Sequence, residues 1–157
     1  APEGRRIFPR MSVKENLELG AFLRNDKAAV NADMDRVLDL FPRLKERIKQ
    51  TAGTMSGGEQ QMLAVSRALM GDPKLLLLDE PLAGVNPKLA EEILDIIKNL
   101  SIEGINIIMV EHNINAVMKI SERVVVMAEG KIIADGEPEV IRNNENVIEA
   151  YLGKANE

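Results

Sequence analysis

Leu75-Leu76-Leu77-Leu78-Asp79-Glu80-Pro81 is the stretch on which the fold turns. Four consecutive leucines form a short apolar run, which suits a strand buried on both faces of a parallel sheet. Two carboxylates follow at once, and a proline follows them. Ligands of open α/β sheets bind beyond the carboxyl ends of the strands, so Asp79 and Glu80 stand where a site is expected. Asp79 is a hard oxygen ligand suited to Mg2+, directly or through water. Glu80 is suited to orienting or deprotonating a water. The same pair also reads as two solvated acids at a strand end.

Downstream, Pro87 starts a helix with Leu89, Ile93, Ile96, Ile97 and Leu100 at helical spacing, and Gly104 breaks it. Residues 105–110 read as a second buried strand. Residues 113–121 read as a short helix with Ile114, Val117 and Met118 facing inward. Residues 124–127 form a third strand, and Glu129-Gly130 turns a hairpin into residues 131–134. The chain ends in helix around 139–143 and 147–152. Alternation of strand and helix predicts a parallel α/β sheet. Upstream the pattern is helical. Ser12-Val13-Lys14-Glu15 is a capping box that opens a helix through about residue 22. Val30, Met34, Val37, Leu38 and Phe41 share one face of the next helix, which stops at Pro42. A further helix runs from Ser56 to about Met70 and ends in the turn Gly71-Asp72-Pro73.

The bulk properties bound the function. The 157 residues are 45% hydrophobic and 29% charged, a globular composition. Aromatics make up only 3%, so aliphatic residues and methionine fill the core. The net charge of −5 argues against a nucleic-acid backbone binder. With no Cys and a single His, thiolate and multi-His metal sites are excluded. No apolar run reaches the roughly 18 residues of a membrane span, and no signal peptide is visible. A start at Ala1 without an initiator Met fits either its removal or a longer parent chain.

Two further features bear on chemistry. Thr54-Met55-Ser56-Gly57-Gly58-Glu59-Gln60-Gln61 sets two glycines and a hydroxyl at a helix start, where free N–H groups and the positive dipole end favour an anion. Ser56 with Glu59 is equally a capping box that satisfies those donors. His112 follows the second strand at the edge shared with Asp79 and Glu80, placed to donate to a phosphate oxygen; a lone His is also commonly structural.

Ser-Gly-Gly at a helix start, then four leucines with Asp-Glu-Pro, then an apolar strand ending in His: in this order the set resembles the ABC ATPase family over essentially the whole chain. Met55 to Glu59 resembles its signature, Leu75 to Asp79 its Walker B strand, Glu80 its catalytic glutamate and His112 its switch histidine. Ala83, Gly84, Val85 and Asn86 sit at its D-loop, with Asn86 where Asp is usual. Ser12-Val13 and Glu15-Asn16 resemble the segment after its Q-loop, which puts Glu3 at the usual Gln position. Residues 1–8 resemble one of the two ATPase subunits of bacterial branched-chain amino acid importers; 82–87 and the tail resemble the other.

The resemblance implies a P-loop NTPase-like parallel sheet, with a helical signature subdomain over about 12–72 and the Walker B to C-terminal part of the α/β core over about 73–157. It implies ATP and Mg2+ as cofactors, with catalytic roles for Glu80 and His112 and a metal role for Asp79. Ser56, Gly57, Gly58 and Glu59 would reach ATP held by a second ATPase subunit, in a homo- or heterodimer. Membrane permease subunits would be the other partners, and the place would be the cytoplasmic face of the inner membrane. No G-x-x-x-x-G-K-[ST] loop exists: Gly130-Lys131 precedes Ile132 and Gly153-Lys154 precedes Ala155. The family's loop would belong to an N-terminal segment, so the chain alone is expected to be inactive. In the family the strand entering that loop lies between the His112 strand and residues 124–127, so a gap is expected there. A DNA-repair or chromosome ATPase and a non-catalytic interaction module are the competing readings.

Overall fold

Ser12 caps α1 (Val13–Gly20) as its sequence requires: its side chain accepts from the Glu15 N–H, and the Glu15 carboxylate accepts from the Ser12 N–H at 2.7 Å. The computed structural model describes residues 1, 2, 4 and 6–152. They form two compact units, residues 1–111 and 112–157.

In the first unit α1 is followed by α2 (Lys27–Leu40), α3 (Pro42–Glu46), α4 (Gly57–Leu69), β1 (Leu75–Asp79), α5 (Pro87–Ile102) and β2 (Asn106–Val110). Pro42 both ends α2 and opens α3, because a fixed φ and a missing N–H are harmless in a first helical turn. α4 is buried on every side, with Gln61, Met62, Leu63, Ala64, Val65 and Ser66 all inside. It is the spine of the unit. α1 crosses it so closely that a Cβ on Gly20 would stand 2.1 Å from the Arg67 carbonyl oxygen. Phe41, Leu17, Leu44, Leu63, Met70 and Ile93 fill the core, each at most 1% exposed. Asn16, wholly buried, pairs its side-chain amide with the Phe8 backbone: Oδ1 accepts the Phe8 N–H at 2.8 Å and Nδ2 donates to the Phe8 oxygen at 3.0 Å.

β1 and β2 pair in parallel from Leu75↔Asn106 to Asp79↔Val110. Neither strand is buried on both faces, contrary to the reading of the leucine run. Leu76 and Leu78 are 2% exposed, whereas Leu75 and Leu77 are 49% and 55% exposed. Side chains alternate between faces along a strand, and the helices of this unit cover one face alone. Ile108 and Val110 share the open face with Leu75 and Leu77.

The second unit contains α6 (Ile114–Ile120), β3 (Val124–Ala128), β4 (Lys131–Gly136), α7 (Pro138–Arg142) and α8 (Glu145–Leu152). β3 and β4 form an antiparallel hairpin whose turn, Glu129-Gly130, has φ of 50° and 75°, the positive pair that a tight primed turn demands. Ile133 is the extra residue of a bulge, since Val126 faces Ala134 and Met127 faces Ile132. Val124, Val126, Ala134, Ile141 and Val147 make the core, with Val117 and Met118 packed on it. Ile114, expected to face inward, is 43% exposed because Ala116 takes the buried face of this short helix. β3 does not extend the parallel ladder: the described strands form two separate two-stranded sheets, β1–β2 and β3–β4.

Candidate functional site

The carboxyl end of β1 is fixed from two sides. The Glu80 N–H donates to the Val110 oxygen at 2.9 Å, which continues the ladder to β2. On the other side the Asp79 N–H donates to the Ala1 oxygen at 3.0 Å and the Ala1 ammonium donates to the Leu77 oxygen at 2.6 Å. One residue bonded on both sides of Leu78 is the pattern of a parallel bridge. Asp79 is exposed at this edge, and Glu80 next to it is half-buried.

Glu80 has φ of 45°, in the left-handed region. For a residue other than Gly this costs on the order of 1–3 kcal/mol, and such strain gathers at functional sites. The loop that follows is tied down. The Ala83 N–H donates to the Glu80 oxygen and the Val85 N–H to the Leu82 oxygen, both at 3.1 Å. The Leu82 N–H donates to Glu111 Oε1 at 2.8 Å. Glu111 thus holds the loop from the end of β2, a role its sequence position hinted at only by adjacency to His112. Asn86 caps α5, its Oδ1 accepting the Leu89 N–H at 3.1 Å. A usual Asp would cap equally well, so the departure from the family leaves the helix start intact.

The second cluster is at the start of α4. Glu59, 5% exposed, accepts the Ser56 N–H at 2.9 Å and the Ser56 hydroxyl at 2.8 Å on Oε2. Its Oε1 lies 3.1 Å from Arg47 Nε. Burial works against the Glu59 carboxylate, but the bonds from Ser56 and the charges of Arg47 and Arg43 outweigh it and hold its pKa below the usual value. Gly58 has a packing reason to be glycine: a Cβ there would lie 2.1 Å from Leu89 Cδ2 and 3.7 Å from Val85 Cγ1. The glycine pair stands where the sequence favours an anion, yet the space beside Gly58 is taken by α5. The same contact seats the start of α4 against the loop of Ala83 to Asn86, so two of the expected site segments touch.

His112 is exposed and opens the second unit, just before Asn113, which caps α6. Glu3 lies outside the described residues. Among the described residues, no group of three or more His, Cys, Asp or Glu side chains is arranged to hold a metal ion. Mg2+ commonly takes one or two carboxylates and completes its shell with phosphates and water. Asp79 at an exposed strand end fits that partial role. No helix among the described residues is long and apolar enough to cross a membrane.

Comparison with known proteins gives this arrangement its context. The family described as ABC transporter matches residues 1–83, and that described as branched-chain amino acid ATP-binding cassette transporter matches residues 131–156. The high-affinity branched-chain amino acid transport ATP-binding protein BraG of Pseudomonas aeruginosa is 51% identical over 97% of this chain and 65% of its own length. The lipopolysaccharide export system ATP-binding protein LptB of Escherichia coli is 35% identical over 98% of this chain and 64% of its own. The crystal structure of the ADP conformation of an ATP-binding cassette of an ABC transporter superimposes with a TM-score of 0.79 at 29% identity, over 92% of this chain and 64% of the other. The chain therefore spans somewhat less than two thirds of these relatives. With a family match over more than half of its residues, the chain belongs to the ABC transporter family.

Proposed function

We propose that this chain serves in the ATP-hydrolysing subunit that energises an importer of branched-chain or other hydrophobic amino acids. The observation that carries the reading is Glu80, held in a strained left-handed conformation directly after Asp79, at the carboxyl edge of a parallel pair. Strain of that kind is kept where the surroundings impose it. Glu80 orients and polarises the attacking water, and Asp79 holds Mg2+ directly or through water. His112 donates to a phosphate oxygen. ATP with Mg2+ supplies the transferable phosphoryl group when bound, and positioning and charge stabilisation dominate such transfer.

Ser56, Gly57, Gly58 and Glu59 act in trans, towards nucleotide held by a second ATPase subunit, and Ala83 to Asn86 lie at that subunit contact. Glu3 takes the coupling position of the Q-loop. Membrane permease subunits are the further partners, which places the protein peripherally at the cytoplasmic face of the inner membrane; nucleic acid is not a partner. The amino acid assignment is supported by the 51% identity to BraG. The similarity to LptB at 35% favours an exporter as the second reading.

The 157 residues contain no phosphate-binding loop, and alone they neither bind ATP tightly nor hydrolyse it. Hydrolysis is therefore assayed on the chain joined to the loop-bearing segment of BraG. Glu80→Gln should leave ATP binding intact and lower turnover by roughly 10²–10⁴-fold, the range for a lost general base. Near-normal turnover by that variant rejects the assignment.

A further inference from the structure

We infer that Arg47 is a positioning residue for the signature turn: it neutralises Glu59, so that the start of α4 can accept a phosphate instead of repelling it. The inference rests on the trans role proposed for Ser56 to Glu59 and adds to it a residue that no motif contains.

The signature of the family usually ends in Gln, and this chain carries Glu59 there. A carboxylate in the first turn suits the helix dipole, but it also sets a negative charge beside the N–H groups that an anion would use. Glu59 is 5% exposed, so solvent screens it poorly. Its two oxygens divide the work. Oε2 takes both Ser56 donors, at 2.9 and 2.8 Å. Oε1 faces Arg47 Nε at 3.1 Å.

Arg47 is itself aimed. It caps the end of α3, and its Nη1 donates to Gln50 Oε1 at 3.2 Å. Gln50 Nε2 donates to Thr54 Oγ1 at 2.9 Å, and that hydroxyl donates to the Thr51 oxygen at 2.7 Å. The guanidinium is thus tied by side-chain bonds to the strip of chain that leads into Ser56. A stabilising brace alone would need no charge at this place. A charge-neutralising residue must be cationic only while position 59 is anionic.

That difference makes the test. The chain is mixed with a loop-bearing family ATPase whose hydrolysis is blocked, with ATP and Mg2+, and ATP-dependent association is measured by analytical ultracentrifugation. Arg47→Ala should weaken association about tenfold, the order set by one unneutralised charge about 12 Å from an anion in an effective dielectric of about 20. Arg47→Lys, which keeps the charge, should lose little. Adding Glu59→Gln to Arg47→Ala should restore most of the loss, because Gln keeps the capping-box bonds and removes the charge. If Arg47→Ala binds as the unchanged chain does, or if Glu59→Gln fails to rescue it, the inference is overturned while the trans role of Ser56 stands. If the unchanged chain shows no ATP-dependent association, the trans role fails and the inference falls with it.

Discussion

Replacing Gly58 by Ala tests why the second signature glycine is there. A Cβ at position 58 would stand 2.1 Å from Leu89 Cδ2, well inside any van der Waals contact, with Leu89 Cγ at 3.5 Å and Val85 Cγ1 at 3.7 Å. The clashing atom ends a flexible side chain, but Leu89 is 4% exposed and has little room to turn. Overpacking of this kind costs about 1–3 kcal/mol. Alanine returns about 0.5–1 kcal/mol of it through helix propensity. The net loss should be about 1–2 kcal/mol, or roughly 3–6 °C in melting temperature for a chain of this size. Leu89→Ala alone should cost about 2–5 kcal/mol by the cavity it leaves. The double variant should lose at least about 1 kcal/mol less than the two single losses together, because the new methyl enters the emptied space and the clash is gone. Urea unfolding followed by far-ultraviolet circular dichroism reads all three without nucleotide. A Gly58→Ala chain as stable as the original, or strictly additive losses, would refute the packing account and return Gly58 to a purely ligand-facing role.

Glu80→Gly should stabilise the chain by about 1 kcal/mol relative to Glu80→Gln, since only the glycine relieves the left-handed backbone; equal melting temperatures would show the conformation to be unstrained. Glu59→Gln should destabilise the chain at about pH 7 and lose that effect as the pH falls through the folded pKa of Glu59. The folded pKa of Glu59 is held below the ordinary 4.5, so its contribution is complete above that value and is lost as pH falls through the folded one; a pH-independent difference in thermal melts would contradict this. Asn16→Leu should cost about 1–3 kcal/mol and open residues 6–11 to limited proteolysis, because it takes from the Phe8 N–H and oxygen the wholly buried amide that pairs with both; unchanged cleavage would show that the amide does not hold that segment.

How far the fold was legible depended on the range of the interactions that make it. Both capping boxes were readable because Ser12 with Glu15 and Ser56 with Glu59 are three residues apart and settle their own geometry. The leucine run announced β1, but not that Leu75 and Leu77 would lie open, since burial is decided by what packs on a strand. α3 was missed because Pro42 was read only as a stop. Ile114 was placed inside by spacing on a helix of 7 residues, too short for its face to be fixed by periodicity. At the site, the acids and the glycines were legible as residue types. The groups that hold them were not. Glu111 meets Leu82 across 29 residues, Arg47 meets Glu59 across two helices, and the φ of Glu80 leaves no mark in composition.

The bland and the functional readings of Ser56 turn out to be compatible. The capping box consumes the N–H groups of Ser56 and Glu59, the Ser56 hydroxyl and one carboxylate oxygen. The N–H groups of Gly57 and Gly58 take no part in it, and the first N–H groups of a helix have no partner within the helix. The box therefore fixes the turn with one set of atoms and leaves another set at the helix start for an anion. Gly58 adds a third constraint, because its missing side chain lets Leu89 bring α5 and the loop of Ala83 to Asn86 against the same turn. Removing the Ser56 hydroxyl perturbs cap and ligand site together, so loss of activity alone cannot assign it. Glu59 separates them: its hydrogen bonds serve the cap and survive in Gln, whereas its charge adds stability through the helix dipole and Arg47 and also bears directly on an anion. The chemistry of this turn is decided at position 59, by the cation that answers it.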